Sequence, residues 1–231
     1  MPTTVVKLGG SALDRAEEVL AGLRGDVVLV HGGGAAVSAM SRRLGLEPRF
    51  VDGLRVTDAD TLEVALMVQG AVNRRLVGLL GRQGVKARGL FGHDHGGWLR
   101  AEVLGDGRWG HVGDITGVDV TALAGPLPVV APVAVDDQFR PLNVNADHVA
   151  AALATALGAE RLVFVTDVDA IRGSEGPLHA LDAESLARLC ADGTVHGGML
   201  PKARAALGAV SRGVKCVTVG SSLRGGTEVW A

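Results

Sequence analysis

Short runs of apolar, often β-branched residues alternate along this chain with stretches in which apolar positions recur every three or four residues. The short runs predict buried parallel strands, and the longer stretches predict helices between them. Strands that alternate with helices indicate an open, mainly parallel sheet with helices on both faces. The predicted fold class is therefore α/β.

The first half of the chain shows this alternation most clearly. Predicted strands cover Thr3–Leu8, Asp26–His31 and Val85–Leu90, and predicted helices cover Leu13–Leu23, Ala35–Leu44 and Asp58–Leu80. The last helix is the longest, and Thr57 with Asp60 has the spacing of a capping box at its start. Two further short strands, Trp98–Val103 and Arg108–Val112, are joined by Gly-Asp-Gly and predict a hairpin.

The second half continues in the same style. Predicted strands cover Leu127–Ala134, Arg161–Thr166 and Lys215–Val219, and predicted helices cover Asn145–Leu157, Ala183–Cys190 and Pro201–Val210. Pro128 and Pro132 predict that the first of these strands pairs partially or at an edge. No stretch has the composition of a linker, so we expect one domain over residues 1–231, with a soft boundary between two lobes near residue 140.

Composition and charge exclude several classes of protein. A hydrophobic share of 47% excludes a disordered chain, and a net charge of −2 gives no reason to expect nucleic acid as a partner. No apolar run has the ~18–20 residues that span a bilayer, and the first residues lack the pattern of a signal peptide. Cys190 and Cys216 lack metal-site spacing, so we expect reduced thiols in a cytoplasmic protein.

Polar or glycine-rich sequence follows four of the predicted strands, at the strand ends where open α/β sheets bind ligands. These segments are KLGGS from Lys7, HGGG from His31, NVNAD from Asn143 and TDVD from Thr166. Their glycines let the backbone approach a ligand and offer N–H groups to anions. The chain has no P-loop motif. Its one GxGxxG, residues 105–110, has no helix after it and indicates a hairpin.

Several charged side chains are candidates for chemistry. Lys7 interrupts an apolar strand, where a buried ammonium group is costly unless an anion meets it. Lys202 follows Pro201 in the first turn of a predicted helix, where a cation costs roughly 0.3–1 kcal/mol unless an anion binds there. Either lysine is alternatively a solvated side chain. Asp147 either organises the two lysines or is an ordinary residue after the Asn145 cap. Arg55 either clamps a carboxylate or is solvated. His93 and His95 have no evident partners for a metal site.

Six motifs, VVKLGGS, VLVHGGG, FVDGLRVTD, LNVNAD, FVTDV and GGMLPK, occur in this order between Val5 and about Val219. In order and spacing they resemble the amino-acid kinase family, and within it the members that phosphorylate the side-chain carboxylate of N-acetyl-L-glutamate. The resemblance implies a three-layer αβα sandwich around a mainly parallel sheet, the fold of carbamate kinase. It also implies substrate binding and dimer contact in residues 1–140, and nucleotide binding in residues 141–231.

The resemblance further assigns roles to individual residues. Lys7 and Lys202 would stabilise the transferring phosphoryl group, and Asp147 would position them. N-acetyl-L-glutamate would be bound by Gly33, Gly34, Arg55 and Asn143, and phosphate oxygens by Gly9, Gly10 and Gly32. The nucleotide would be bound by Thr166, Asp167, Val168, Asp169, Ala170, Ile171, Arg172, Thr194, Val195 and His196. ATP would carry Mg²⁺, and the protein itself would supply no metal site.

The chain departs from the family pattern in a few places. Asp169 and Ala170 stand where the family has Pro or Ser and then Gly, and the loop Phe91–Gly97 is atypical. The early first strand leaves no room for the N-terminal helix of arginine-inhibited hexamers, so we expect an arginine-insensitive homodimer that pairs through the helix near residues 58–80. Three alternatives stay open: a sister kinase acting on a carrier-bound amino acid, a non-catalytic regulatory domain, and a nicotinamide-dependent oxidoreductase, whose fingerprint is missing.

Overall fold

The structure, a computed structural model, describes residues 4–21, 23, 25–196 and 199–231. It divides into two units, one formed by Met1–Leu29 with Ala150–Ala231 and the other by Val30–Val149. The sequence suggested a single division near residue 140. The observed division lies at residue 149 and also groups the N-terminal residues with the C-terminal part, because the first strand is hydrogen-bonded to a strand that begins at Arg161.

The elements of the first part of the chain, in order, are β1 Thr4–Leu8, a 3-10 helix Gly10–Leu13, α1 Ala16–Ala21, β2 Val27–His31, α2 Gly34–Arg43, β3 Phe50–Val51, β4 Leu54–Arg55, α3 Ala59–Arg82, β5 Ala87–Leu90, α4 Asp94–Gly97, β6 Leu99–Val103 and β7 Gly113–Val118. There follow a 3-10 helix Val120–Leu123, β8 Leu127–Val130, β9 Val133–Val135, β10 Pro141–Asn143, α5 Ala146–Leu157, β11 Arg161–Val165, β12 Arg172–Gly173, β13 Gly176–Pro177, β14 Ala180–Asp182, α6 Ala183–Ala191, α7 Leu200–Ser211, β15 Cys216–Gly220 and β16 Thr227–Trp230. None of the helices among the described residues is long and apolar enough to cross a bilayer.

In the first unit the sheet has the strand order β14-β16-β15-β11-β1-β2. Strand β1 is parallel to β11 and β11 is parallel to β15, whereas β16 runs antiparallel to β15. Nearly every residue of β11 and β15 is buried, as expected for strands that are covered on both faces. Helix α7 packs on β15, and α6 packs on α7. Lys7 is a half-buried cation next to the buried Val6 and Leu8 of β1.

In the second unit the end of β2 is followed in the sheet by β8 and β5, and β5 is parallel to β8. A separate four-stranded sheet has the order β10-β9-β6-β7. The long helix α3 packs on α2, β5 and β8. Its contact with α2 is an apolar cluster of Val37, Val64, Ala65, Val68, Met40, Leu46 and Val72. Parallel strands alternating with helices in both units confirm the predicted α/β class.

Most predicted strands and helices are present, and three expectations were wrong. The predicted helix over Leu13–Leu23 is shorter than expected: residues 14–15 form a turn after the 3-10 helix, and α1 covers only Ala16–Ala21. Asp14, near the predicted start, favours turns over helix interiors. The expected capping box is absent: Asp58 caps α3 by accepting a hydrogen bond from the Thr61 N–H at 2.9 Å. Thr57 does not cap because its buried hydroxyl donates to the Arg55 carbonyl.

The third wrong expectation concerns the hairpin after Trp98. Strand β6 pairs with Gly113–Val118 and not with residues 108–112. Gly105, Gly107 and Gly110 all have positive φ, which lets the chain make a longer turn before it pairs. The run Leu127–Ala134 is interrupted at residues 131–132 and forms two strands, which agrees with the partial pairing predicted from its prolines. Thr3 and the glycines of the GGMLPK motif lie outside the described residues.

Candidate functional site

The glycine segment HGGG lies in the second unit, between β2 and α2. Helix α2 begins at Gly34, and no described side chain forms a hydrogen bond that caps it. Its first turn contains no acidic residue. Backbone N–H groups at such a helix start attract anions. The segment therefore fits an anion, and anion binding there stays a prediction.

Arg55 is held beside this segment by one edge of its guanidinium. Nη2 donates to the Gly34 carbonyl and to the Ser38 hydroxyl, both at 2.8 Å, and the guanidinium carbon lies 4.7 Å from the centre of the Phe50 ring. The residue is 8% exposed. Burial, and then the charge of Arg42, lower the pKa of Arg55 from its ordinary value. Nη1 is buried and has no hydrogen-bond partner among the described residues, so the second edge is free to meet a carboxylate.

Asn143 is linked to Arg55 through Thr57. The Asn143 amide nitrogen donates to the Thr57 hydroxyl at 3.1 Å, and that hydroxyl donates to the Arg55 carbonyl at 3.0 Å. Gly34, Arg55 and Asn143, three of the four residues predicted to bind substrate, are thus joined by hydrogen bonds. Their role in binding stays a prediction.

Asp147 lies in the first turn of α5. Its backbone N–H donates to the Asn145 side-chain oxygen at 2.7 Å, which confirms Asn145 as the cap of this helix. The predicted role of Asp147 in positioning the two lysines stays a prediction.

His31, which the sequence left without a role, is fully buried under the glycine segment. Its Nδ1 lies 2.9 Å from the Gly32 carbonyl oxygen, and its Nε2 lies 3.1 Å from the Asn73 amide nitrogen. A carbonyl only accepts, so Nδ1 carries the proton and Nε2 accepts from Asn73. Burial lowers the pKa of His31 from 6.5 to about 4, against the opposing effect of the Gly32 hydrogen bond. The imidazole is therefore neutral at physiological pH.

The buried imidazole makes stability depend on pH. Below pH 6.5 the unfolded chain binds a proton at His31, whereas the folded protein binds it only near pH 4. The free energy of unfolding should fall as the pH falls through this window, by roughly 3 kcal/mol in total for this group. We expect His31→Asn to remove this part of the slope, as measured by urea unfolding between about pH 7 and pH 5. Equal slopes in both proteins would contradict the assignment.

In the first unit, the Lys7 ammonium group lies beside Gly9, the first glycine after β1. The position of a Cβ on Gly9 would be 2.5 Å from the Lys7 ammonium nitrogen, and the Gly9 N–H donates to the Val165 carbonyl at 3.0 Å. The absence of a side chain at Gly9 therefore leaves room for the ammonium group. Gly10 has a φ of +45°, which favours glycine.

A side chain at Gly9 should displace the Lys7 ammonium group. We expect Gly9→Ala to lower kcat by about a hundredfold, since a shift of about 1 Å in a reacting group has this effect. Steady-state assays decide, and a kcat within about twofold of wild type in Gly9→Ala would contradict the predicted displacement of Lys7.

Lys202 lies in the first turn of α7 and forms an ion pair with Asp167 at 2.8 Å. The lysine side chain is 24% exposed and the aspartate side chain 60% exposed. The same carboxylate oxygen accepts from the Thr166 hydroxyl at 2.8 Å. The hydrogen bond from Lys202, followed by that from Thr166, lowers the pKa of Asp167 to about 2. Asp167 was predicted only as a nucleotide-binding residue, and its place beside Lys202 was missed.

The rest of the predicted nucleotide stretch divides into buried and exposed side chains. Ala170 and Ile171 are buried, and the Ile171 N–H donates to the Thr227 hydroxyl at 2.8 Å. Asp169 accepts from the Ser221 hydroxyl at 2.5 Å. The exposed side chains of this stretch are therefore those of Asp167, Asp169 and Arg172, with Val168 half-buried.

The second predicted nucleotide stretch is a turn after α6. The Thr194 N–H donates to Asp192, and Nδ1 of His196 lies within 3.1 Å of two backbone carbonyls. Val195 is buried, so its side chain belongs to the core. Contact of this stretch with nucleotide stays a prediction.

Gln69 and Asn73, the two buried amides beside the glycine segment, were also not named from the sequence, although the sequence indicates that they are buried. They lie four residues apart on α3 and continue the buried apolar face that includes Leu62, Leu76 and Leu80. Two amides in such a face are unusual unless they form hydrogen bonds. Ser38 had no signal, because a serine one turn into an amphipathic helix is ordinary.

Comparison with known proteins identifies the family of this chain. The model of the amino acid kinase family matches residues 2–221. The chain is 41% identical to acetylglutamate kinase of Symbiobacterium thermophilum, covering 94% of this chain and 83% of the relative. For acetylglutamate kinase of Methanopyrus kandleri the identity is 45%, covering 91% and 92%.

Among solved structures, smu.665 of Streptococcus mutans has a TM-score of 0.82 at 26% identity, covering 99% of this chain and 98% of that one. The family model and the two relatives each match most of the chain. The chain therefore belongs to the amino acid kinase family.

Proposed function

We propose that this chain catalyses the ATP-dependent phosphorylation of the side-chain carboxylate of N-acetyl-L-glutamate. The product is N-acetyl-L-glutamyl 5-phosphate, an acyl phosphate of arginine biosynthesis. Support comes from relatives named acetylglutamate kinase, which share 41% and 45% of aligned residues with this chain. The substrate is anionic, which fits the uncapped start of α2.

The single observation that carries the proposal is the unpartnered edge of Arg55. A buried guanidinium nitrogen without a hydrogen bond is costly, and a substrate carboxylate would satisfy it. The Gly34 carbonyl and Ser38 fix the opposite edge, so the group is preorganised for a ligand. Gly33, Gly34 and Asn143 complete the proposed contacts to the substrate.

In the proposed reaction the substrate carboxylate is the nucleophile, so no general base is required. Lys7 and Lys202 stabilise charge on the transferring phosphoryl oxygens, and Asp147 positions the lysines. The N–H groups of Gly10 and Gly32 bind phosphate oxygens. The Gly9 N–H is held by the Val165 carbonyl, so Gly9, also predicted to bind phosphate, instead leaves room for the Lys7 ammonium group. Residues 166–172 and 194–196 bind the nucleotide. Mg²⁺ enters with ATP, because this ion is usually held through substrate phosphates and screens their charge.

The test is an ADP-release assay with Mg-ATP and a panel of acceptors: N-acetylglutamate, glutamate, aspartate and N-acetylaminoadipate. We expect strong preference for N-acetylglutamate, and hydroxylamine should trap the acyl phosphate. Activity with none of the four, in a folded protein that binds ATP, would overturn the proposal and favour a carrier-bound acceptor.

We also propose a cytoplasmic homodimer that pairs through α3. Met67 on this helix is 56% exposed, so its side chain is available for such a contact. Analytical ultracentrifugation of the wild type and of Met67→Glu tests this, with a shift toward monomer expected in the variant.

A further inference from the structure

Each of the three consecutive glycines of the HGGG segment is contacted by a different buried polar side chain. His31 forms a hydrogen bond with the Gly32 carbonyl, and Arg55 donates to the Gly34 carbonyl. Between them, the position of a Cβ on Gly33 would be 2.6 Å from the side-chain oxygen of Gln69. Arg55 already has a role in the proposed site, whereas His31, Gln69 and the Asn73 behind them have none.

We propose that His31 is a positioning residue: held by Asn73, it fixes the Gly32 peptide and with it the backbone N–H groups that the segment offers to the substrate and the transferring phosphoryl group. This inference rests on the proposed function for the identity of the ligand. The positioning itself rests on hydrogen bonds within the second unit.

Asn73 is fixed from two sides. Its amide nitrogen donates to the Val129 carbonyl of β8 at 2.8 Å and to His31 Nε2. Its amide oxygen lies against β5, where the position of a Cβ on Gly89 would be only 1.8 Å away. Rotation of the amide would place an oxygen against the Val129 oxygen, so the side chain has one favourable orientation.

The orientation of Asn73 then determines the state of His31. Because the amide nitrogen donates to Nε2, the proton of the neutral imidazole is on Nδ1, which faces the Gly32 carbonyl. Strands β5 and β8 are thereby connected to the Gly32 peptide through two buried side chains. A run of three glycines otherwise has high backbone freedom, and this connection limits it.

Gln69 packs against Gly33, the residue after Gly32, and restricts its backbone. Three of its side-chain atoms lie between 2.6 and 3.0 Å from the position of a Cβ on Gly33, so its amide covers that face of the segment. Its oxygen is buried and has no hydrogen-bond partner among the described residues. The glycine segment is thus bounded by His31, Gln69 and Arg55 in consecutive positions.

The test compares two amide replacements of His31. In His31→Asn the amide nitrogen takes the place of Nδ1 and keeps the donor to Gly32. In His31→Gln the amide takes the place of Nε2, which keeps the contact with Asn73 and loses the one with Gly32. Three quantities are measured in the full chain: the melting temperature, kcat and KM for each substrate, and amide hydrogen exchange of residues 31–35 without substrate.

We expect His31→Gln to lower kcat/KM for N-acetylglutamate by about a hundredfold, with KM for ATP changed less than about twofold. Exchange of residues 31–35 should rise by at least about tenfold in this variant. His31→Asn keeps the donor to Gly32 but loses the contact with Asn73, so both quantities should change in the same direction and at least about fivefold less than in His31→Gln.

Equal losses in the two variants, in proportion to their melting temperatures, would overturn the proposal and leave His31 a structural residue. Unchanged exchange in His31→Gln would also overturn it. A wild-type protein inactive on N-acetylglutamate would refute the proposed function alone, since the exchange measurement needs no substrate. The positioning role would then stand if exchange rises clearly more in His31→Gln than in His31→Asn.

Discussion

Replacing Lys7 or Lys202 with alanine is expected to lower kcat by about 10²–10⁴-fold, with KM for either substrate changed far less. In phosphoryl transfer the protein itself does little covalent chemistry, so much of the rate enhancement comes from positive charge placed at the phosphoryl oxygens. Both lysines are placed by local structure: Lys7 lies over Gly9 and Lys202 is in the first turn of α7. Steady-state ADP release checks the result.

The matched control is Lys215→Ala, which removes an exposed lysine of the same unit. We expect it to leave kcat unchanged, and we expect all three variants to keep the wild-type melting temperature within a few degrees. Near-normal turnover in both Lys7→Ala and Lys202→Ala would show that neither ammonium group acts on the transferred phosphoryl group.

Replacing Arg55 with alanine should raise KM for N-acetylglutamate by about 10²–10³-fold and leave KM for ATP within about twofold. The variant removes the buried nitrogen proposed to meet the substrate carboxylate, and it leaves the Gly34 carbonyl and Ser38 without their donor. Arg55→Lys should recover only a small part, because an ammonium group cannot replace the planar, forked guanidinium.

Arg49→Ala, which removes an exposed arginine close by in sequence, serves as the control and should behave as wild type. Fluorescence or calorimetric titration with N-acetylglutamate and with ADP would separate binding from turnover. A loss of ADP binding with intact N-acetylglutamate binding would contradict the proposed role of Arg55.

The sequence predicted those parts of the fold and site that depend on local order along the chain. Strand ends followed by glycine or polar residues led directly to Lys7, the HGGG segment and Thr166, because a parallel sheet collects its strand ends at one edge. The Asn145 cap followed from short-range hydrogen-bonding preferences. Arg55 was a candidate for carboxylate binding in the sequence, which left open whether its side chain is solvated. Its hydrogen bonds to the Gly34 carbonyl and the Ser38 hydroxyl show that the side chain is fixed in place.

What the sequence did not predict depends on contacts between distant residues. Thr57 was assigned to a capping box because local spacing allowed it, whereas Asn143, far along the chain, engages its hydroxyl. The arrangement of His31 depends on its hydrogen bond with Asn73, and the second partner of Asn73, the Val129 carbonyl, lies on another strand. Asp167 beside Lys202 is a similar case, since the ion pair joins a strand end to a helix start.

The pairing of β1 with β11 has a consequence for the order in which the protein folds during synthesis. Residues Val30–Val149 are continuous in sequence, so this unit has all its contacts once the ribosome has released it. The first unit, in contrast, needs β1 to pair with β11, β11 to pair with β15, and β15 to pair with β16. Strand β1, which carries Lys7, can pair with β2 early, but its other edge stays unpaired until β11 has been translated. An unpaired strand edge is a template for aggregation, so this is a vulnerable period for the nascent protein.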